Sequence, residues 1–283
     1  LLGELADGQD ESLRLITRSG LMAFFWKEVE AGFGYAADQP DLQDFAIALF
    51  DSAYHRALGD EGRLNAEASL MFRRWANNRH WAQAFETLSQ QYQELLNIED
   101  DLQTRDFRLL MPHDHFDAMD RQIIRSLVEA MATQTVNAAD VLRWVRERRQ
   151  SHWYKRYEDI YQAIGYATEF QQALAEANLT MNSVSEGVKR YAASWYKLDQ
   201  LYRKFIHHML KSGQAGLLRP LYESVEKRYT TNFVLAVNDA WQDQVNRLED
   251  WEIPGYVPQR SFYREHASEF RRKDQKVVVI VSD

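Results

Sequence analysis

WYKRYEDIYQAIGYATEFQQAL, residues 153–174, sets Trp153, Tyr157, Ile160, Ile164, Ala167 and Leu174 at steps of three, four and seven. That spacing keeps an apolar stripe on one face of an α-helix for several turns, and a stripe this long has to be buried. Outward from it, no glycine occurs between Gly62 and Gly165, and Pro112 is the only proline in that span. Glycine and proline are the strongest breakers of regular structure, so long helices are expected on both sides. Candidate helices run near Leu13 to Ala31, Leu42 to Leu58, Arg63 to Asn77, Arg79 to Leu96, Phe116 to Ala132, Ala138 to Ala177, Ser183 to Lys211 and Leu217 to Asp250. In the last of these, Leu221, Val225, Tyr229, Phe233, Val237, Trp241, Val245 and Leu248 recur at steps of three or four.

The chain carries 45% hydrophobic and 13% aromatic residues, enough apolar surface for a packed core rather than a disordered tail. Its formal charge of −8 argues against whole-body binding to polyanions, and its lack of cysteine excludes disulfides, thiolate zinc sites and cysteine nucleophiles. No secretory signal and no run of apolar residues long enough for a membrane span is visible, so a cytoplasmic setting is expected. The mixed stretch Asn97 to Asp114 has no clean period and is taken as an internal boundary, and Pro254, Gly255 and Pro258 stop the long helix and open a connector.

The ending differs from all that precedes it. Lys276 leads into Val277, Val278, Val279, Ile280 and Val281, then Ser282 and Asp283. Five consecutive β-favouring residues suit a strand buried on both faces of a parallel sheet, and a parallel sheet cannot have one strand. The expectation is therefore a mainly α, multi-helix, bundle-like fold followed by one orphan β-strand of a missing α/β catalytic domain. Its parts are a helical subdomain over 1–112, a second over 113–253, a connector with a short helix over 254–275, and the strand over 276–283.

The segment from Phe262 and Tyr263 through Phe270, then Lys276 to Asp283, resembles the stretch leading into the catalytic domain of the PglZ family, whose strand reads approximately VIISD and continues ALRYE. Arg148-Arg149-Gln150-Ser151-His152-Trp153, with Tyr161 and Ala163, and Val225-Glu226-Lys227-Arg228-Tyr229 up to Trp241, resemble the helical region before that domain. The likeness is broad but loose over Arg143 to Trp241 and tight only over Lys276 to Asp283. The family belongs to phage defence of the BREX type and is similar to metal-dependent phosphatases and phosphodiesterases of the alkaline phosphatase superfamily. The resemblance implies that Asp283 is the first metal ligand of the parent enzyme, which takes a divalent metal such as zinc, magnesium or manganese. One carboxylate cannot build such a site, so no catalytic residue and no cofactor are assigned to this segment itself. The resemblance further implies docking to another BREX protein, with BrxB the first choice.

Other constellations have plainer readings. Glu99-Asp100-Asp101 with Asp106 could pass for the aspartate-rich motif of a helical magnesium-dependent synthase, but Asn238, Asp239 and Asp243 make an incomplete second cluster, and solvated loop acids are the simpler account. His113, Asp114, His115, Asp117 and Asp120 could offer metal ligands; a helix start, with Asp114 or a neighbour as cap and acids complementing the dipole, is simpler. His207-His208 point about 100° apart on a helix. Gly213 to Gly216 reads as a helix end and turn. The basic residues Arg143, Arg146, Arg148, Arg149, Lys155 and Arg156 interleave with Trp144, Trp153 and Tyr154, and Arg73, Arg74 and Arg79 with Trp75 and Trp81. They are candidates for contact with a partner protein or with nucleic acid, where arginine grips phosphates and aromatic rings stack on bases. The alternative function is accordingly a DNA-presenting module.

Overall fold

In the computed structural model, residues 1–249, 253 and 255–280 are described. The α-helices are α1 (Leu2–Ala6), α2 (Glu11–Arg18), α3 (Met22–Phe33), α4 (Leu42–Ala57), α5 (Ala66–Ala76), α6 (Ala82–Leu95), α7 (Ile98–Thr104), α8 (Phe107–Leu110), α9 (Asp117–Ala132), α10 (Ala138–Arg148), α11 (Tyr154–Glu176), α12 (Val184–Arg190), α13 (Tyr196–Lys211), α14 (Arg219–Lys227), α15 (Ala236–Val245) and α16 (Ser268–Arg272). The protein is mainly α, as expected. Several starts carry the side-chain caps that polar residues provide for orphan N–H groups: Asp41 accepts from Gln43 and Asp44, Asn65 from Ala68, Asn137 from Asp140 and Ser183 from Glu186.

Two compact units result, one of residues 1–169 and 203–224, the other of residues 170–202 and 225–283. The stretch 97–114 lies inside the first. That unit is built around Phe50, whose ring meets Phe72 at 4.9 Å, Tyr92 at 5.3 Å, and Phe85 and Phe116 at 5.7 Å. All five are buried. The stripe of α11 behaves as its spacing demands: Trp153, Tyr157, Ile160, Ile164 and Ala167 are buried.

In the second unit, Tyr202 and Tyr229 lie parallel with centroids 3.7 Å apart, and the Asp199 carboxylate accepts from the hydroxyls of Tyr191 and Tyr229. The helix expected over Leu217 to Asp250 is here interrupted by a π-helical segment, Arg228–Leu235. Its apolar residues explain why. From Leu221 to Val245 they recur at strict steps of four, which on an α-helix drift about 40° per step. A wider i→i+5 turn brings the stripe back toward one face, at the cost of exposing Val234 and Leu235.

Two expected helices are broken, and the expected boundary stretch is helical. Leu13 to Ala31 is two helices, because Gly20 takes φ +69°, the left-handed region that ends α2. Ala138 to Ala177 breaks after Arg148, where residues 149–153 turn. Asn97 to Asp114 contains α7 and α8, with Ile98, Leu102, Phe107 and Leu110 facing the core. Among the described residues there is no strand. Val277 to Ile280 takes part in no ladder, and Val278, Val279 and Ile280 are exposed at 72%, 54% and 88%. The rest of the expected strand, Val281 to Asp283, lies outside the described residues.

Candidate functional site

The polar residues gathered around the start of α9 form a connected set, and its centre is Arg148. This residue falls on the inward face of α10 with Val141, Trp144 and Val145, so its side chain is only 1% exposed. Its Nε donates to the Asp120 carboxylate at 3.1 Å, its Nη2 donates to the same group, and Tyr161 donates its hydroxyl there as well. The remaining arm of the guanidinium, Nη1, donates to the carbonyls of Met111 at 2.9 Å and His113 at 2.8 Å. Burial works against the Arg148 charge, but the Asp120 carboxylate outweighs it and the guanidinium holds its proton more tightly than usual. Burial and the neighbouring carboxylate push the Tyr161 phenol far above its ordinary range.

The loop before α9 is bolted down by other elements too. Ser89 of α6 donates to the His115 carbonyl at 2.8 Å. The side-chain oxygen of Gln93 accepts from Ala118 at 2.8 Å, so the cap of α9 comes from α6. Asp114 does not cap the helix: its carboxylate accepts from the His152 backbone at 2.7 Å, while its carbonyl takes the Trp153 indole N–H at 3.0 Å. His152 reaches Glu86 at 3.0 Å. Asp117 and Asp120 do sit in the first turn of α9. Among the described residues no three His, Asp or Glu side chains converge in a way that could hold a metal ion.

Two clefts flank this loop. One, of about 600 Å³, lies between α4, α5 and Pro112 to His115. The other, of about 550 Å³, is more polar and is bounded by Arg108, Asp114, Arg143 and Gln150. His115 lines the first, its ring 5.3 Å from Phe72 and 5.7 Å from His113. Burial pushes its imidazole down to about 4, and the positive charges nearby, Arg73 included, act in the same direction.

The basic residues do not form one patch. Arg148 is interior and unavailable to any partner, a placement that its charge in sequence did not suggest. Arg143 pairs with Asp140 at 2.8 Å and Glu147 at 3.3 Å, Lys155 with Glu158 at 3.4 Å, and Arg156 with Asp117 at 3.5 Å. Arg146 and Arg149 are exposed on α10 and beyond it. Trp144, Trp153 and Tyr154 are buried and present no face for stacking on a base, and the half-buried Trp75 packs on Phe50, Phe72 and Phe85. Arg73, Arg74 and Arg79 are exposed, and Trp81 is 38% exposed.

The acids expected in a solvated loop sit on α7 instead. Asp101 accepts from the Tyr54 hydroxyl at 2.5 Å and from Arg105, which also reaches Asp60 at 2.9 Å. Burial would raise the Asp101 carboxyl, but the Tyr54 and Arg105 bonds outweigh it and hold it below the usual range. His208 accepts or donates at 2.7 Å with Asp159, which Lys211 joins at 3.1 Å. Sequence reasoning missed Tyr161 and Gln93. Position 161, four beyond Tyr157 on the buried face of α11, was the available signal for the first; nothing local marks Gln93 as a cap for a helix 25 residues away.

The chain is 22% identical over 281 residues to the alkaline phosphatase-like protein PglZ of Bacillus cereus, a match covering 95% of this chain and 33% of that protein. It is 24% identical over 302 residues to the alkaline phosphatase-like protein BrxZ of Escherichia coli, covering 95% and 34%. The chain thus spans about a third of the length of the curated relatives it matches. No family model and no solved structure matches it. Both similarities cover nearly all of this chain and about a third of each relative.

Proposed function

We propose that this chain is the helical interaction and positioning segment of a PglZ-type, alkaline phosphatase-like protein of BREX phage defence, and that it docks another BREX protein. The observation that carries this reading is the coverage: nearly all of this chain, which is mainly helical, aligns with about a third of two alkaline phosphatase-like proteins. Metal-dependent phosphoryl chemistry needs several carboxylate or imidazole ligands in one place, and among the described residues there is no such gathering. The metal, whether zinc, magnesium or manganese, and the hydrolysis then belong to the remainder of the parent, with Asp283 the residue of this chain that would join them. A large helical body without chemistry of its own contributes surface, and its buried polar clamp around Arg148 keeps the loop between the two clefts rigid.

BrxB is the first partner to test. Size-exclusion chromatography and calorimetry of the chain with purified BrxB should give a complex. Absence of binding, with binding present for the full-length parent, would reduce this segment to a spacer. A second reading, DNA presentation to the catalytic domain, rests on Arg73, Arg74 and Arg79 and the exposed Trp81. It requires affinity that falls steeply with salt and is lost when the three arginines are reversed.

A further inference from the structure

The cleft between α4, α5 and the loop before α9 has the make-up of a small-molecule site. Its walls are slim and apolar, with Ala53, Ala57, Ala66 and Ala76 on the two helices and Leu70 and Pro112 at the edges. Its charged groups are mostly cationic. Arg73 is exposed and forms no ion pair with any described residue, and Arg56 spends Nε and Nη2 on the Leu64 carbonyl. The one carboxylate among the lining residues, Asp114, is already engaged by the His152 N–H. Deeper in, polar atoms lack partners: Ser69 Oγ and His115 Nδ1 are buried without a hydrogen bond. A concave, mostly apolar cavity with a few convergent polar groups is the usual form of a ligand pocket, and about 600 Å³ falls in the usual range.

We infer that this cleft binds a small organic anion, a carboxylate or a phosphate monoester, whose slim apolar body lies along the alanine walls and whose charged head pairs with Arg73. The alanines leave room for an alkyl chain or narrow ring and none of the aromatic surface that a nucleobase would stack on, since Phe72 and Phe85 are each 1% exposed.

Calorimetry with hexanoate, octanoate, hexyl phosphate and octyl phosphate tests it, with inorganic phosphate as the head group without a body. One-to-one binding is expected from at least one head-group series, tightening about tenfold for two added methylenes, and none from inorganic phosphate. Arg73→Glu should weaken it by at least about tenfold and Ala57→Trp should abolish it by filling the space, while Arg149→Glu leaves it unchanged. Arg73 is exposed, so its variant will fold even where the tryptophan variant does not. Silence from both series, several equivalents bound per chain, or equal binding by the wild type and Arg73→Glu would overturn the inference.

Discussion

Replacing Arg148 by methionine tests the clamp that holds the α9 loop. Methionine keeps much of the apolar stem but removes four hydrogen bonds: two to Asp120 and one each to the carbonyls of Met111 and His113. Breaking a buried ion pair on one side usually costs about 3 to 5 kcal/mol, because the other charge is left uncompensated. The two stranded carbonyls push toward the upper end of that range. Against a total stability of roughly 5 to 15 kcal/mol, this is severe without being certain to unfold the chain. The pH response is the sharper signature. Burial already raises the Asp120 carboxyl in the wild type, and without the guanidinium it rises further, so the deficit is largest at neutral pH and shrinks by up to about 1.4 kcal/mol for each unit the pH falls toward the wild-type value. Adding Asp120→Asn to Arg148→Met should return about 2 kcal/mol at pH 7 and flatten the dependence, leaving the cost of the stranded carbonyls. Urea unfolding followed by tryptophan fluorescence at pH 7 and pH 5.5 measures all of this. A loss below about 1 kcal/mol for Arg148→Met, or the same loss at both pH values, would refute the clamp.

The wild type has its own pH dependence through His115. Its folded-state pKa of about 4 lies below the ordinary 6.5, so stability is full above 6.5 and falls as pH drops from there to about 4, by at most about 3 kcal/mol; His115→Gln should remove that slope in thermal melts. Reversing Arg143, Arg146 and Arg149 together to Glu should leave the melting temperature within about 2 °C, because all three are exposed. Its effect on phage protection by the full-length parent then reads function rather than folding, and undiminished protection removes this surface from the docking map. A chromogenic phosphodiester incubated with the chain and zinc, magnesium or manganese should remain intact, and turnover that persists through Asp283→Ala and rigorous purification would contradict the division of labour proposed above.

Periodicity made the helices legible where the stripe was regular. The face from Trp153 to Ala167 is buried as its spacing demands, and α4 runs over nearly the expected residues because Asp41 supplies a cap that the sequence displays openly. The differences arose where a tertiary partner settles the local geometry. Nothing in residues 149–153 breaks a helix by composition; the chain turns there, and the His152 N–H and Trp153 indole bind Asp114, which lies 38 residues earlier. The acids of α7 read as solvent-facing because three stand in a row, yet Ile98 and Leu102 bury the other side and Arg105, a turn further on, neutralises Asp101.

The basic cluster shows the limit most clearly, because arginine has two opposite uses that share one letter. On a helix with Val141, Trp144 and Val145 facing inward, position 148 falls on the same face as 141, 144 and 145 by the three-and-four rule, so its burial could have been foreseen from α10 alone. What spacing could not supply was the compensating group. A buried guanidinium is tolerable only with a carboxylate and further acceptors, and these come from α9 and the 111–113 loop. Asp120 gave the reciprocal hint, being an acid one turn into α9 beside Met119, Ile123 and Ile124 on the core side. The two out-of-place charges, one basic and one acidic, point to each other. Pairing such mismatches across predicted helices places Arg148 in the core and leaves Arg73, Arg74, Arg79, Arg146 and Arg149 as exposed charges.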